Sequence, residues 1–371
     1  MKAVLLGPHP QNGSYSTTYY FNFYSSRLPA LLPGWDVGGG CPGGPEAAGR
    51  GGNIAARTRW ENFVAWPVQL RNIRADLWHV MDQGLAWYST FLKKGRRLIT
   101  VHDLIAYMTV KGLLNLSAIP HRRRLLVSEC IRNIRSADHI VSVSECTAAG
   151  LVSLLGIPAR KITVVSNVLE SDFSSLSADQ RIVARAKWFP DADYAVIHVG
   201  KSSSYKNRIG ALRAFDKLHK TLPGARMFLV HGNPDQEEAR FLNESSSRGA
   251  VQFLPNLTRP DLREFYGAAD VLIFPSLYEG FGWPPLEAMA CGCPVVCTTR
   301  GSLGEVVGDA ALTVQDPHDH ASLANALRMI LLEDSLVRDL RSRGLDRVKM
   351  FAPTKLLGQM AEVYRLTCRD A

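Results

Sequence analysis

Short apolar runs alternate with amphipathic stretches along the whole chain. Between the runs, apolar residues return at helical spacing, as at Leu212, Phe215 and Leu218. Alternating strands and helices are typical of parallel α/β sheets, so the pattern predicts a doubly wound α/β fold. The runs that we assign to buried strands are 3–6, 77–81, 98–101, 139–143, 162–165, 195–199, 226–230, 251–253, 271–274 and 294–298.

The strand candidates fall into two sets, which predicts two Rossmann-like domains. The chain has 371 residues, enough for two domains at roughly 100–200 residues each. A polar stretch at 171–177 separates the two sets. We therefore expect an N-terminal domain over 1–175, a C-terminal domain over 190–350 and a C-terminal helix within 351–371.

One segment departs from globular composition. Nine of the 19 residues in 34–52 are glycine, and two more are proline. Such a stretch buries too little apolar surface to offset the entropy lost on ordering, so we expect a surface loop there. Two interpretations stay open: a lid that orders when an acceptor binds, and a plain flexible insertion.

Composition and charge exclude some classes of protein and indicate which partners suit the chain. With 46% hydrophobic and 21% charged residues, the chain is globular rather than disordered or fibrous. Lys and Arg together number 43 against 34 Asp and Glu, which gives a formal net charge of +9. This excess suits three kinds of partner: nucleic acid, an anionic membrane surface or a phosphate-bearing substrate.

The cysteines and the hydropathy of the chain indicate the cellular compartment of the protein. The seven cysteines are odd in number, scattered and without a C-x-x-C pair. That usage favours reduced thiols over disulfides or a zinc site. No run approaches the roughly 18 apolar residues of a membrane span. We therefore expect a cytoplasmic protein.

The segment 271–298 has the most informative order of residues. A predicted strand is followed by a loop with Gly280 and Gly282, and then by a predicted helix. This arrangement forms an anion site, because backbone amides and the positive end of the helix dipole point beyond the strand. Glu279 in the loop and Glu287 in the helix would face the same crevice.

The two glutamates give this segment its resemblance to a known family. It resembles the E-x7-E signature of glycosyltransferase family 4, whose members are retaining and depend on nucleotide sugars. The resemblance implies two facing Rossmann-like domains (the GT-B architecture) with the active site in the cleft between them. It also implies a nucleoside diphosphate sugar as donor, with no metal and no other cofactor.

The resemblance assigns roles within the segment. Glu279 is expected nearest to the sugar, with a catalytic role. Glu287 is expected to accept hydrogen bonds from the ribose hydroxyls. Gly280, Phe281 and Gly282 are expected to bind the donor diphosphate.

A second match is the loop at 198–207. It resembles the family's Gly-Arg-x4-Lys-Asn loop, whose two cations hold the donor diphosphate. Lys206 matches directly, and Lys201 stands where the family often has arginine. A lysine supplies a point charge without the bidentate fork of arginine. Two ammonium groups would stabilise the negative charge that develops on a departing nucleoside diphosphate.

Three residues of the first half complete the expected site. His102, at the end of a predicted strand, lies in a segment that resembles the family's His-Asp-Leu, which implies a catalytic position against the donor sugar. Asp82 follows the preceding strand and is expected to line the acceptor crevice. Relatives usually have a Gly-Gly pair after the first strand; here Gly13 is the single glycine expected to contact donor or acceptor.

These matches predict a retaining glycosyltransferase. We expect it to move a hexose, with mannose favoured, from a GDP- or UDP-sugar to a saccharide or lipid-linked saccharide in polysaccharide biosynthesis. The resemblance implies a front-face mechanism in which the leaving phosphate helps to take the acceptor proton. Two other classes stay open: a sugar-nucleotide epimerase or phosphorylase on the same scaffold, and a catalytically inactive membrane-surface binding protein.

A predicted helix that begins near His121 concentrates positive charge. Two interpretations of it stay open: a solvated helix packed on the N-terminal sheet, and a peripheral contact with the inner face of the membrane that would recruit a lipid-linked acceptor. Nucleic acid is the least favoured partner, because no recognisable binding module is present. The arginines of this helix are Arg122, Arg123, Arg124, Arg132 and Arg135.

Overall fold

The structure is a computed structural model that describes residues 1–11, 15–44, 54–169 and 171–369. The chain divides into two compact units. Unit 1 consists of Met1–Val168 together with Pro353–Ala371, and unit 2 consists of Leu169–Ala352.

Each unit is built on a six-stranded parallel sheet. The order in unit 1 is β2-β1-β3-β4-β5-β6, and the order in unit 2 is β12-β11-β10-β7-β8-β9. The strands are β1 Lys2–Leu6, β2 Asp36–Gly40, β3 Leu77–Val80, β4 Arg96–Val101, β5 His139–Ser142, β6 Ile162–Val164, β7 Tyr194–Val199, β8 Ala225–Val230, β9 Val251–Leu254, β10 Val271–Phe274, β11 Val295–Thr298 and β12 Leu312–Val314.

Helices connect the strands and cover the sheets. In chain order they are α1 Tyr15–Leu31, α2 Ile54–Trp60, α3 Trp66–Leu70, α4 Ile105–Val110, α5 His121–Ser136, α6 Glu145–Leu155, α7 Ala178–Trp188, α8 Arg208–His219, α9 Gln236–Glu244, α10 Arg259–Ala268, α11 Trp283–Ala290, α12 Leu303–Val307, α13 His320–Leu332, α14 Asp334–Val348 and α15 Pro353–Arg369. A π-helical turn, Glu61–Ala65, joins α2 to α3, and Gln83–Phe91 is a 3₁₀ segment.

In unit 1, successive strand residues point to opposite faces of the sheet. On β3, Trp78 packs into a core with residues of α3, the 3₁₀ segment, α5 and α6. His79 points the other way, where its Nδ1 lies 2.7 Å from the hydroxyl of Tyr364 on α15. The C-terminal helix therefore packs within unit 1, on the face opposite to α5.

In unit 2, the same alternation separates two layers. Val196 and Ile273 pack with residues of α8 and α13, including Leu212, Phe215 and Leu327. The predicted helix face around Leu212 is thus buried. Phe228 of β8 points the other way and packs on Phe189, which directly follows α7 and contacts Phe265 of α10.

The predicted strands coincide with observed ones to within one or two residues, but β2 and β12 were not predicted. At 36–40 the expectation of a surface loop is wrong, because this stretch pairs in parallel with β1. Glycine is used there for close packing. A Cβ on Gly39 would lie 3.0 Å from the ring of Phe21, and one on Gly40 would lie 2.7 Å from the ring of Trp66. Residues 41–44 form a turn after β2, and 45–52 of the predicted loop lie outside the described residues.

Two further observations concern membrane-spanning segments and disulfides, both of which the sequence disfavours. None of the helices in the described part of the chain is both long and apolar enough to cross a membrane. All seven cysteines are free thiols.

Candidate functional site

The candidate site of unit 2 lies where its strand order reverses. β7 pairs with β8 on one side and with β10 on the other. The loops after β7 and β10, at 200–207 and 275–282, therefore leave the sheet side by side at its carboxyl edge. Ligands of open α/β sheets bind at such a switch point.

Lys206 and Glu279 meet at this point. The Lys206 ammonium (Nζ) lies 2.7 Å from Glu279 Oε1, and the Ser276 hydroxyl donates to the same oxygen at 2.8 Å. The two charged side chains are only 14% and 8% exposed. The ring of Phe274 lies 4.8 Å from the ammonium. A mostly buried ion pair is stable only when further hydrogen bonds, such as the one from Ser276, satisfy its remaining polar atoms.

The loop after β11 holds the Glu279 backbone in position. The Ser302 amide donates to the Glu279 carbonyl at 3.0 Å, and the Ser302 hydroxyl donates to the Phe281 carbonyl at 2.9 Å. Gly301 has φ +65, and a Cβ there would meet the Glu279 carbonyl oxygen and lie 2.7 Å from the Glu279 nitrogen. Only glycine fits this close approach of two backbones.

Asn207 fixes the other loop. It has φ 51 and is the N-cap of α8, where its Oδ1 accepts from the Gly210 amide. Its Nδ2 donates to the carbonyls of Pro275 and Pro317 at 2.9 and 3.0 Å. Asn207 therefore ties the Lys206 loop to the strand end that leads to Glu279. The capping role of Asn207 could have been predicted from the sequence, because asparagine tolerates positive φ and caps helices.

Glu287 lies in the second turn of α11 and is partly buried. Its Oε2 accepts a 3.0 Å hydrogen bond from the buried hydroxyl of Tyr266. Burial raises the pKa of the Glu287 carboxyl to about 7, against the opposing effects of the Tyr266 hydrogen bond and the charges of Arg259 and Lys206. The carboxylate is thus oriented by α10, and its charge state is sensitive to what binds beside it.

The start of α11 has few backbone amide hydrogens. Gly282 is the N-cap, with φ 104, and a Cβ there would lie 2.6 Å from Leu303. Pro284 and Pro285 follow Trp283 and have no amide hydrogen. The two prolines leave few amide hydrogens in this first turn, so an anion bound here would depend largely on Lys206. Gly280 and Phe281 are buried; Phe281 packs against Phe351.

Lys201 lies on the same loop as Lys206 but is exposed. Lys201 is close enough to His231, which directly follows β8, to affect its pKa. Burial, together with the charges of Lys201, Arg208 and Lys206, lowers the pKa of the His231 imidazole. His198, at the end of β7, is fully buried, and its pKa falls to about 3 for the same reasons of burial and neighbouring Arg208 and Lys206. Lys201, Lys206 and Arg208 therefore lie near these imidazoles at the edge of the sheet.

The predicted residues of unit 1 lie at the carboxyl edge of its own sheet. His102 follows β4 and is mostly buried; its Nε2 lies 3.0 Å from the Met81 carbonyl. Because a carbonyl only accepts, Nε2 carries the hydrogen and donates it, which leaves Nδ1 as an acceptor. Burial lowers the pKa of His102, opposed by the Asp82 charge and the Met81 carbonyl. The lowered pKa favours the neutral form of the His102 imidazole.

Asp82 has a structural contact in addition to its expected role. Its carboxylate accepts from the Gly84 amide at 2.6 Å and caps the 3₁₀ segment Gln83–Phe91. The amide of the next site residue, His102, donates to Gln83 at 2.8 Å. The structure thus links Asp82 and His102 through one short segment. Gly13 lies outside the described residues.

A cavity of about 1000 Å³ lies elsewhere in unit 1, beside β2. It contains none of the predicted site residues that the structure describes. Its walls include Phe21, Gly38, Gly39, Gly40, Trp60 and Trp66. Within the described ranges, no group of three or more His, Cys, Asp or Glu side chains is placed to hold a metal ion.

Comparison with known proteins follows the same division into units. A model described as "Glycosyltransferase Family 4" matches residues 43–173, and one described as "Glycosyl transferases group 1" matches 180–347. The chain belongs to glycosyltransferase family 4. The family that the E-x7-E segment predicted is confirmed, so the chain is a glycosyltransferase.

The similar proteins include enzymes of glycan synthesis. O-antigen chain mannosyltransferase B of Escherichia coli is 27% identical over 323 residues, which are 85% of this chain and 83% of the relative. Sucrose-phosphate synthase from Thermosynechococcus elongatus has a TM-score of 0.77 at 22% identity, covering 100% of both chains. Anabaena HepE, solved with UDP and glucose, has a TM-score of 0.75 at 16% identity, covering 98% of this chain and 99% of its own. The predicted GT-B class of two Rossmann-like domains is confirmed.

Proposed function

We propose that this glycosyltransferase moves a hexose, with mannose favoured, from a nucleoside diphosphate sugar to a saccharide or lipid-linked saccharide, with retention of anomeric configuration. The observation that carries the proposal is the Lys206–Glu279 pair at the strand switch point of unit 2. The similarity to a mannosyltransferase over most of the chain supports the choice of sugar. The UDP and glucose of the HepE structure support a nucleotide sugar as donor.

The charges of unit 2 suit a donor diphosphate. Lys206 is fixed by Glu279 and by the face of Phe274, so it loses little freedom when a phosphate arrives. Lys201 adds a second, exposed cation on the same loop. We propose that these two lysines, rather than a metal ion, balance the charge that grows on the leaving nucleoside diphosphate.

The two glutamates take different roles in this proposal. Glu279 lies beside the phosphate-binding lysine, where it would orient the hexose. Glu287, held by the Tyr266 hydroxyl, would accept hydrogen bonds from the ribose. Because hydrogen bonds donated by the ribose hydroxyls would stabilise the ionised carboxylate, a bound ribose would lower the pKa of Glu287 from its raised value of about 7.

His102 would position the sugar rather than protonate it. Its Nε2 hydrogen is already donated to the Met81 carbonyl, so Nδ1 remains to accept from a sugar hydroxyl. A neutral imidazole of lowered pKa is a poor acid at physiological pH. The acceptor proton would then pass to the leaving phosphate, as in a front-face mechanism.

Acceptor recruitment would use the basic helix α5. Arg122, Arg123 and Arg124 are exposed at its N-terminal end, and Arg132 and Arg135 are exposed further along. We propose that these arginines contact the anionic inner face of a membrane that carries a lipid-linked acceptor. In this proposal the protein is cytoplasmic and peripheral.

A thermal-shift screen of nucleoside diphosphates tests the donor site. GDP or UDP that binds only the folded chain raises its stability by about 2.7 kcal/mol at 100 times Kd. We expect one of them to raise the melting temperature of the wild type and of Lys217→Ala, an exposed lysine on α8. Lys206→Ala should respond much less. No shift with any nucleotide, or an equal shift in Lys206→Ala, would contradict the proposed site.

A further inference from the structure

The cavity beside β2 is a groove that follows the open edge of the unit 1 sheet. β2 is the first strand in the sheet order, so only one of its two sides pairs with another strand in the described part of the chain. α1 forms one wall of the groove, and the helical stretch of α2, the π-turn and α3 (residues 54–70, here called the 54–70 helix) forms the other. The volume of about 1000 Å³ lies at the upper end of the roughly 300–1,000 Å³ range of small-ligand pockets. The groove therefore has room for a ligand of several rings.

The floor of the groove is the backbone of β2. The Asp36 amide donates at 2.8 Å to the residue before β1, and the Gly40 carbonyl accepts at 2.9 Å from the residue after β1. In a parallel ladder such residues alternate with residues whose amide and carbonyl groups point to the other side. Val37 and Gly39 therefore direct their backbone groups away from β1, towards the groove.

Glycine at position 38 keeps this floor open. A Cβ on Gly39 or Gly40 would press against an aromatic ring, which explains glycine at those two positions. A Cβ on Gly38 would meet nothing within 4 Å, and Gly38 is exposed. Packing within the described chain therefore gives no reason for glycine at 38, and its absent side chain leaves the β2 backbone accessible to a ligand.

The walls combine an aromatic face with neutral polar groups. Trp60 of the 54–70 helix lines the groove and is 59% exposed. Asn22 and Ser26 of α1 and Gln69 of the 54–70 helix add exposed amide and hydroxyl groups. A hexose has a face of C–H bonds that packs on an aromatic ring and a rim of hydroxyls that donate and accept hydrogen bonds. The wall chemistry matches a saccharide on both counts.

The charged residues of the groove are compensated within the chain. Among the described wall residues they are Lys2, Asp36 and Glu61. The Lys2 ammonium lies 3.7 Å from the Asp36 carboxylate, and Glu61 Oε2 lies 2.7 Å from Nε2 of the buried His9. A phosphate or carboxylate ligand would find no unpaired cation among these residues, so the groove suits an uncharged ligand.

One end of the groove reaches the carboxyl edge of the sheet, where the proposed acceptor residues lie. Glu61 contacts His9, which belongs to the segment that follows β1. Asp82 follows β3 and His102 follows β4 at the same edge. β2 and β4 are three strand spacings apart, which is about 14 Å. One hexose is too short to contact both places, whereas an oligosaccharide can span them.

We propose that the groove beside β2 binds the part of an uncharged oligosaccharide acceptor that lies away from the reacting hydroxyl. This inference rests on the proposed function in taking the acceptor to be a saccharide, and it adds a second binding site for that acceptor. A peptide strand fits the groove less well. Peptides that add to a sheet edge are selected by pockets for alternate side chains, and three consecutive glycines offer none.

Calorimetric titration of the full chain without nucleotide tests the groove. The probes are mannose, mannotetraose and maltotetraose. The test variants are Trp60→Ala, which removes the aromatic face, and Gly38→Leu, which fills the groove at a strand position where glycine is unfavourable. The control is Gly358→Leu on α15 of unit 1, an exposed position where a Cβ would also meet nothing within 4 Å. Melting temperatures verify that each variant is folded.

The proposal predicts that the wild type and the control bind one of the two tetrasaccharides at least about tenfold more tightly than mannose. Each test variant should bind that tetrasaccharide at least about tenfold more weakly than the wild type does. A wild type that binds neither tetrasaccharide more tightly than mannose would overturn the proposal, as would a folded test variant that binds like the wild type. So would self-association of the wild type that Gly38→Leu abolishes, because it would assign this edge to a second copy.

Turnover separates the groove from the proposed function. Trp60→Ala should raise KM for the tetrasaccharide acceptor by about tenfold and leave kcat and KM for methyl mannoside unchanged. An equal loss with both acceptors would contradict the groove. Tetrasaccharide binding without any nucleotide response would contradict the proposed donor site and support the groove. Nucleoside diphosphate release that is the same in the wild type and both test variants with every acceptor would do the reverse.

Discussion

At the scale of single residues, Lys206 is where two negative groups compete for one ammonium. Glu279 holds it at 2.7 Å, and a donor diphosphate would approach the same atom. Removing one partner of a mostly buried pair leaves the other charge without compensation. Lys206→Ala therefore exposes Glu279 to this cost as well as weakening phosphate binding, so both residues have to be varied to interpret either.

Glu287 gives the pH dependence of stability a specific source. Its pKa is raised from 4.5 to about 7, so the folded chain holds this proton more tightly than the unfolded chain does. The resulting stabilisation is fully present below pH about 4.5 and is lost as pH rises through about 7. Glu287→Gln removes it. We expect the unfolding free energy of the wild type, relative to the variant, to fall by on the order of 2 kcal/mol between about pH 5 and about pH 8.

Urea denaturation of both proteins across this pH range measures the difference. Comparing wild type with variant cancels the contribution of the buried histidines, His79 and His198, whose pKa values are lowered to about 3. Glu244→Gln, at an exposed position on α9, is the control and should give a flat difference. A flat difference for Glu287→Gln too would mean that its carboxyl is not desolvated.

Sequence patterns found the charged residues of the site but not the contacts that hold them. Lys206, Glu279 and Glu287 were identified because their spacing matches a family signature. The Ser276 hydrogen bond to Glu279 was not predicted, nor was the Asn207 amide that bridges two carbonyls. The two Asn207 contacts join segments that are up to 110 residues apart, and no local pattern reports such distances.

At the scale of elements, the site depends on three loops that follow β7, β10 and β11. The β11 loop has no predicted ligand contact, yet it fixes the Glu279 backbone through Gly301 and Ser302. We expect Gly301→Ala to displace the Glu279 loop, because its Cβ would overlap the Glu279 carbonyl oxygen and φ +65 is unfavourable for alanine. Donor turnover should fall by at least about tenfold.

Gly304→Ala is the matched control for this substitution. It lies three residues later, within α12, and its Cβ would have 3.5 Å contacts with Thr299. Alanine is favoured over glycine in a helix by roughly 0.5–1 kcal/mol, so the control should fold at least as well as the wild type. Equal turnover by the two variants, measured beside their melting temperatures, would contradict the bracing role of Gly301.

The elements that sequence reasoning missed share a physical cause. β2 contains three consecutive glycines, which have low strand propensity, and it forms because β1 offers a parallel partner and two aromatic rings leave no room for side chains. β12 is three residues long at the sheet edge. In both, tertiary pairing rather than local pattern decides the conformation.

At the scale of the whole molecule, alternating apolar runs sufficed to predict two parallel α/β units. The inner strands of both sheets are buried on both faces, which makes them continuous apolar runs that are easy to recognise. The sequence also predicted part of the distribution of the positive charge, whose net value is +9. Lys201 and Lys206 lie on one loop of unit 2, and α5 carries its arginines in unit 1. The exposure of Trp60, Val64 and Val68 was not predicted, because burial of a helix face depends on its neighbours.

The proposed function depends on nucleotide-sugar chemistry at the Lys206–Glu279 pair. The most direct test is the rate at which nucleoside diphosphate is released from GDP-mannose and UDP-glucose in the presence of a saccharide acceptor. We predict release from one donor by the wild type and by the control Lys217→Ala. Lys206→Ala and Glu279→Ala should each be slower by at least about tenfold, equivalent to about 1.4 kcal/mol in the barrier. Near-wild-type rates in both variants would contradict the account.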